Sequence, residues 1–171
     1  MTALEQASGR AGAAARGRFA AHGASVFISG VFLDSLRFKF ANAPKTQVIF
    51  GDLDAWAASF GAQGLFAPTG LFSQYAIGAA ELVASGILLV ATFLPRLRFL
   101  RPLGALLALA VMSGAVGFHL FTPLGVNVDG DGGALFYTAC ATWLCALALL
   151  LTRGSERRDL AARLRRFFSP A

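Results

Sequence analysis

Five ionisable side chains stand at or within long apolar runs of this sequence: Asp34, Arg37 and Lys39 close one run, Glu81 sits inside a second, and His119 lies near the end of a third. An ionised group at bilayer depth costs about 2.5–3.5 kcal/mol on insertion scales, so each needs a partner or a wet cavity. A carboxylate or imidazole of this kind can accept a proton, and a nearby lysine or arginine can stabilise an anionic form of a bound molecule. Helical spacing puts Gln74, Gly78, Glu81 and Ser85 on one face, at offsets of 4, 3 and 4. A polar stripe that includes a glycine faces other helices rather than lipid. Met112, Ala115, His119 and Thr122 share a face of the third run. Lys39, Glu81, His119, Asp34, Arg37 and Gln74 are therefore the candidate ligand-binding residues. Each has a plainer reading. Glu81 would be a structural ion pair with Lys39 or Arg37, His119 a donor to a carbonyl, and Asp34 with Arg37 an i,i+3 pair at a helix end. His22 falls near the opposite end of its run and reads as interfacial.

The elements that position these groups follow from composition. The 171 residues are 56% hydrophobic and 14% charged, with a mean hydropathy of +0.63, too few charges to coat a soluble surface. A disordered tail protein, a disulfide-stapled module and an ordinary cytosolic enzyme are poor fits. Four runs have the roughly 17–25 residues that a spanning helix needs: 19–36, 72–94, 103–125 and 134–152. The expected fold is all-α, an integral membrane four-helix bundle over 19–152 between basic tails at 1–18 and 153–171. The first run is the shortest, and Arg16, Arg18 and the Ala41-Asn42-Ala43 stretch give it some look of a cleaved leader. Arg37 and Lys39 before that site, and Pro44 after it, favour retention as the first helix. Between residues 55 and 70, glycines and Pro68 argue against a fifth span. Trp56, Phe60 and Phe66 predict a re-entrant or surface helix at the interface there. In the last segment Leu160, Leu164, Phe167 and Phe168 share one helical face. Arg157, Arg158, Arg165 and Arg166 supply headgroup contacts or, equally, a solvated basic tail.

The net charge of +6 does not indicate nucleic acid, because the basic residues punctuate apolar runs. Twelve of the fifteen lie in the two tails and in the turn at residues 96–101. The positive-inside rule then makes both termini of a multi-pass protein cytoplasmic. In that frame Asp34, Arg37, Lys39, Glu81 and His119 all fall in the outer half.

Other chemistries find little support. Cys140 and Cys145 are separated by about 7.5 Å along a helix and roughly 140° around it, which suits packing better than a redox pair. The Asp129-Gly130-Asp131-Gly132-Gly133 stretch is too short for a calcium loop and reads as a tight turn. No phosphate loop, dinucleotide fingerprint or zinc motif is present in the sequence. No metal site is expected, since the two histidines fall at opposite depths.

Three stretches resemble the DoxX-like family of small bacterial membrane proteins: Gly30-Val31-Phe32-Leu33-Asp34-Ser35-Leu36-Arg37-Phe38-Lys39-Phe40; Ala79-Ala80-Glu81-Leu82-Val83-Ala84-Ser85-Gly86-Ile87-Leu88-Leu89; and His119-Leu120-Phe121-Thr122-Pro123-Leu124-Gly125 with Asp131-Gly132-Gly133-Ala134-Leu135-Phe136. The likeness spans about residues 19–152 and places Lys39, Glu81 and His119 at matching motif positions. Asp34 departs from the family pattern, which is uncharged or aromatic there. The resemblance implies a four-helix membrane bundle whose relatives include quinone-linked sulfur-oxidising subunits and proteins tied to oxidative stress. The leading expectation is an accessory or subunit of a membrane redox system that binds a quinone or similar small ligand. A redox partner subunit or a homo-oligomer would complete it within the lipid bilayer. The alternatives are a small-solute or ion transporter and a non-catalytic scaffold. Nothing in the sequence decides whether the protein is an enzyme.

Overall fold

The computed structural model describes residues 3–168; residues 1–2 and 169–171, the extremes of the two basic tails, lie outside the described residues. The described chain is all-α: α1 (Ala3–Phe40), α2 (Pro44–Ala58), α3 (Gln74–Phe93), a 3-10 segment (Pro95–Leu100), α4 (Arg101–Phe121), α5 (Ala134–Thr152) and α6 (Gly154–Phe168). Four stretches are long and apolar enough to cross a membrane, Ala15–Phe40, Gln74–Phe93, Pro95–Phe121 and Ala134–Thr152, and they form an integral membrane helical bundle.

Local chemistry sets where each helix stops. The first span is longer than the expected 19–36 because charges limit membrane depth without breaking a helix. Asn42, at φ 50°, turns the chain out of α1: its N–H reaches Lys39 O at 3.3 Å, and the Ala43 N–H reaches Phe38 O at 3.0 Å. Pro44 then starts α2 at a position where no amide donor is needed. The Ser73 hydroxyl caps α3 by accepting from the Ala76 N–H at 3.2 Å, and Pro95 follows its end. Helix α4 stops at Phe121, four residues short of the expected 125, because Pro123 cannot continue it and Gly125 turns at φ +67°. Helix α5 has the bounds read from the sequence.

The four spans close a ring in which α1 packs on α3, α3 on α4, α4 on α5, and α5 more loosely on α1. Its interior holds small and hydroxyl side chains: Ser25, Ser29, Ala84, Ser85, Ala105, Ala108, Thr142 and Ala146 are essentially inaccessible. Large apolar side chains such as Leu82, Val83, Phe93, Leu106, Leu144 and Leu151 point outward. Ile28, Phe32 and Leu88 are buried among them, and the outward apolar surface suits lipid, where close backbone approach helps hold helices together. Two of the hydroxyls bond one turn back on their own helices, Ser25 to Ala21 O at 2.9 Å and Thr142 to Thr138 O at 2.8 Å. Between α1 and α5 a groove of ≈ 220 Å³ is lined by Gly17, Ala20, Ala21, Ala24, Ala148 and Leu149, with Arg153 at its rim.

A second core caps the end where α1 finishes. Leu53 and Ala57 of α2 pack with Phe66, Leu124 and Val128. Phe118 receives Trp56 and Phe66 edge-on, with ring centroids 6.5 and 5.2 Å away. The interfacial helix expected over 55–70 is therefore displaced. The helical segment is 44–58, and residues 59–73 are turns, broken by Gly61 at φ +88° and Gly64 at φ +84°. Phe66 is buried in this cap rather than set at an interface, and the Asp54 carboxylate accepts its N–H at 3.0 Å.

Gly104 is where α3 and α4 come closest. A Cβ there would lie 2.9 Å from Leu88 Cγ and 3.0 Å from Ile87 Cγ2. Gly104→Val is expected to destabilise the bundle by about 1–3 kcal/mol, the cost of overpacking, read as a lower thermal midpoint in detergent. Gly86→Ala, whose Cβ would meet nothing within 4 Å, should show no such loss.

Candidate functional site

The buried polar groups converge where the end of α1 meets the start of α3. Side chains on a helix lean toward its N-terminus, so Lys39 points back along α1 toward Ser35, one turn earlier. Gly78 leaves the surface of α3 flat beneath this stem, Lys39 Cδ lying 3.6 Å from where a Cβ would stand. The ammonium arrives 2.9 Å from Glu81 Oε1 and 3.0 Å from Oε2, and it also donates to Ser35 Oγ. Ser35 Oγ donates in turn to Glu81 Oε2 at 3.0 Å. Glu81 is only 2% exposed. Removing a carboxylate and an ammonium from water costs several kcal/mol each, and this closed triad of cation, anion and hydroxyl offsets that cost.

Polar groups continue down the same interface. One turn beyond Glu81, the buried Ser85 hydroxyl has no hydrogen-bond partner, and Ser29 Oγ donates to the Ser85 carbonyl at 3.4 Å. Gln74 sits above the triad and serves the end of α1. Its Nε2 donates to Lys39 O and to Asn42 Oδ1, both at 2.9 Å, giving that helix-end carbonyl a second donor beside the Asn42 N–H.

The remaining candidates go elsewhere. Asp34 and Arg37 pair with each other across one turn and are 61% and 70% exposed, while the Arg37 guanidinium lies 5.4 Å from the Phe38 ring centroid. They stand outside the triad, as the simple i,i+3 reading expects. His119 is buried in the last turn of α4 but is turned toward α5: its Nδ1 is 2.6 Å from Gly125 O, and its ring packs edge-on against Phe136 at 5.6 Å. A carbonyl only accepts, so the proton resides on Nδ1 and Nε2 is the acceptor in the neutral ring. Of the candidates, Lys39 and Glu81 thus meet in an α1–α3 triad with Ser35, while His119 belongs to a separate α4–α5 contact. His22 bonds the Arg18 carbonyl on its own helix at 2.6 Å. Cys140 and Cys145 are free and half-buried on α5. Among the described residues no group of three His, Cys, Asp or Glu could hold a metal ion.

Sequence reasoning missed Ser35, although its spacing of four from Lys39 put it on the same face. It also missed the part played by Asp131. That carboxylate accepts from the Val128 N–H at 3.0 Å, the Gly133 N–H at 2.9 Å and the Leu135 N–H at 3.0 Å, with Lys45 Nζ 3.8 Å away. It ties the α4–α5 turn and caps α5; the left-handed φ values of Asp129, Gly130, Gly132 and Gly133 let the chain wrap around it. Burial pushes the Asp131 carboxyl up, but the three amide donors and Lys45 outweigh it and hold the group below the usual carboxylate range.

No protein-family model, curated protein or solved structure matches this chain.

Glu81→Ala leaves the Lys39 ammonium buried and unpaired, with an expected loss of about 3–5 kcal/mol in detergent denaturation. Asp34→Asn, at the exposed pair, should change stability by less than about 0.5 kcal/mol. The lowered pKa of Asp131 gives a stabilisation that is present above the unfolded-state value and lost as pH falls through the folded one. Asp131→Asn is therefore expected to lower the thermal midpoint near neutral pH, with the gap to wild type narrowing below about pH 4.

Proposed function

We propose that this chain is a DoxX-like accessory or subunit of a membrane redox system, receiving a quinone headgroup or similar small polar ligand at the Lys39–Glu81–Ser35 triad. The observation that supports the reading is a carboxylate, 2% exposed, held between a lysine and a serine inside an apolar helix pair. Intramembrane ionisable groups mark ligand or proton sites by default. The donor set suits the chemistry: Lys39 and Ser35 offer hydrogens to a carbonyl, and Glu81 offers lone pairs to a hydroxyl. A bound quinone would supply two-electron, two-proton chemistry. The chain's own part is to position the headgroup and hold a proton at Glu81. Because the three side chains satisfy one another, binding must exchange their mutual bonds for bonds to the ligand.

In this reading the protein resides in a bacterial inner membrane with both termini cytoplasmic. Its support is the concentration of arginines at the α6 end of the bundle, against Arg37, Lys39 and Lys45 at the other. The triad then lies in the outer half, and a redox partner subunit or second copy would supply the electron path.

A second reading, a scaffold in which the triad only clasps α1 to α3, is favoured by the same mutual satisfaction of its polar atoms. One titration separates them. Infrared difference spectra of the protein in nanodiscs, with added short-chain ubiquinone, should show a perturbed carboxylate band in wild type that is absent in Glu81→Gln. The thermal midpoint of Glu81→Gln confirms that it remains folded. No quinone-induced change in wild type, or an equal one in the variant, would leave the clasp as the sole role.

A further inference from the structure

The second buried ion cluster lies at the opposite end of the bundle. Glu156, in the first turn of α6, is 2% exposed, and its Oε1 accepts from Arg101 Nη1 at 2.7 Å and from Arg153 Nε and Nη2 at 3.2 and 3.1 Å. Arg101 is itself 3% exposed and donates from Nη2 to the Ala91 carbonyl at 3.1 Å, joining the cluster to the last turns of α3. Further along α6, the Arg163 guanidinium sits 4.1 Å from the centroid of Phe99 in the 3-10 segment. These contacts fold α6 back against the end of the bundle. Only Arg153 separates it from α5, so its first turn is held at the level at which the spans end.

Among the described residues, the last turns of α6 are exposed. Leu164, Phe167 and Phe168 are 49%, 82% and 74% exposed, and Arg157, Arg158, Arg165 and Arg166 are exposed as well. At 100° per residue, Leu164, Phe167 and Phe168 fall within about 100° of one another; Arg158 and Arg165 both lie along one edge of that strip, Arg157 falls on it and Arg166 on the far side. An apolar strip with exposed arginines on and beside it, fixed where membrane-spanning helices end, complements a surface of anionic headgroups over acyl chains.

We propose that α6 is an in-plane helix that binds anionic phospholipid, and that the Arg101–Glu156 ion pair is the latch that holds it in the binding position. Glu156 acts as a positioning residue and touches no lipid. Its removal acts by releasing the helix.

The full chain is reconstituted in nanodiscs of phosphatidylcholine, or of phosphatidylcholine mixed with phosphatidylglycerol, and amide hydrogen exchange is followed over residues 154–168. Phosphatidylglycerol is expected to slow exchange in α6 by about tenfold or more, since each interfacial arginine contributes on the order of fivefold to binding. Replacing Arg157, Arg158, Arg165 and Arg166 with Gln, all at exposed positions, should abolish the lipid dependence and leave exchange in α3 and α4 unchanged. Glu156→Gln should weaken protection of α6 in both lipids while keeping all four exposed arginines. Equal protection of wild-type α6 in the two lipids, or a lipid dependence that survives the four-arginine replacement, would overturn the anionic-lipid assignment. Full protection in Glu156→Gln would overturn the latch.

Discussion

The membrane domain is organised around one ion pair. Lys39 and Glu81 are tolerable inside an apolar helix pair only if they meet, and they meet only at one antiparallel register of α1 against α3. Sliding either helix by a residue would separate the charges and move Ser35 away from the carboxylate. Neighbouring features follow from that register. A glycine lies under the lysine stem at position 78, Gln74 donates to the Lys39 carbonyl at the end of α1, and Ser29 meets the Ser85 backbone one turn beyond Glu81. An electrostatic requirement thus acts as a measuring mark along two otherwise featureless apolar surfaces.

Elsewhere the bundle relies on small side chains rather than charge. The α3–α4 contact is set by Gly104, and the α4–α5 face carries Ala105, Ala108, Ala139 and Ala146 in its buried set. Close approach of backbones replaces the hydrophobic driving force that lipid cannot supply between helices. Each end is then closed in its own way. Aromatic side chains from α2 and the following turns seal one, while arginines and a single glutamate pin α6 across the other.

Much of this architecture was legible because a bilayer imposes length and charge rules on the chain. The fourth span could be bounded from sequence since Gly133 and Arg153 flank an unbroken apolar run. Cost alone marked Glu81 as needing Lys39 or Arg37 as a partner, and Gln74 and Ser85 were legible by shared face. What the sequence obscured was direction. His119 has the right depth to join the triad, but which neighbouring helix a side chain faces depends on how α4 is rotated in the ring, and one span's pattern leaves that angle open. Similarly, the aromatic content of residues 55–70 concealed that glycines at φ near +85° end the helix before them. Charge counting placed Arg101 in a basic turn without showing that it would close, across 55 residues of sequence, into one buried bond with Glu156.

The Asp131 turn carries a mechanical consequence. With both carboxylate oxygens engaged by backbone amides, the link from α4 to α5 is stiff, and those helices behave as one lever. The Lys39–Glu81 clasp makes α1 and α3 the other. The two levers meet at Gly104, where the Leu88 and Ile87 side chains fill the space a Cβ would need, and the α1–α5 groove is left as the loosely filled seam between them.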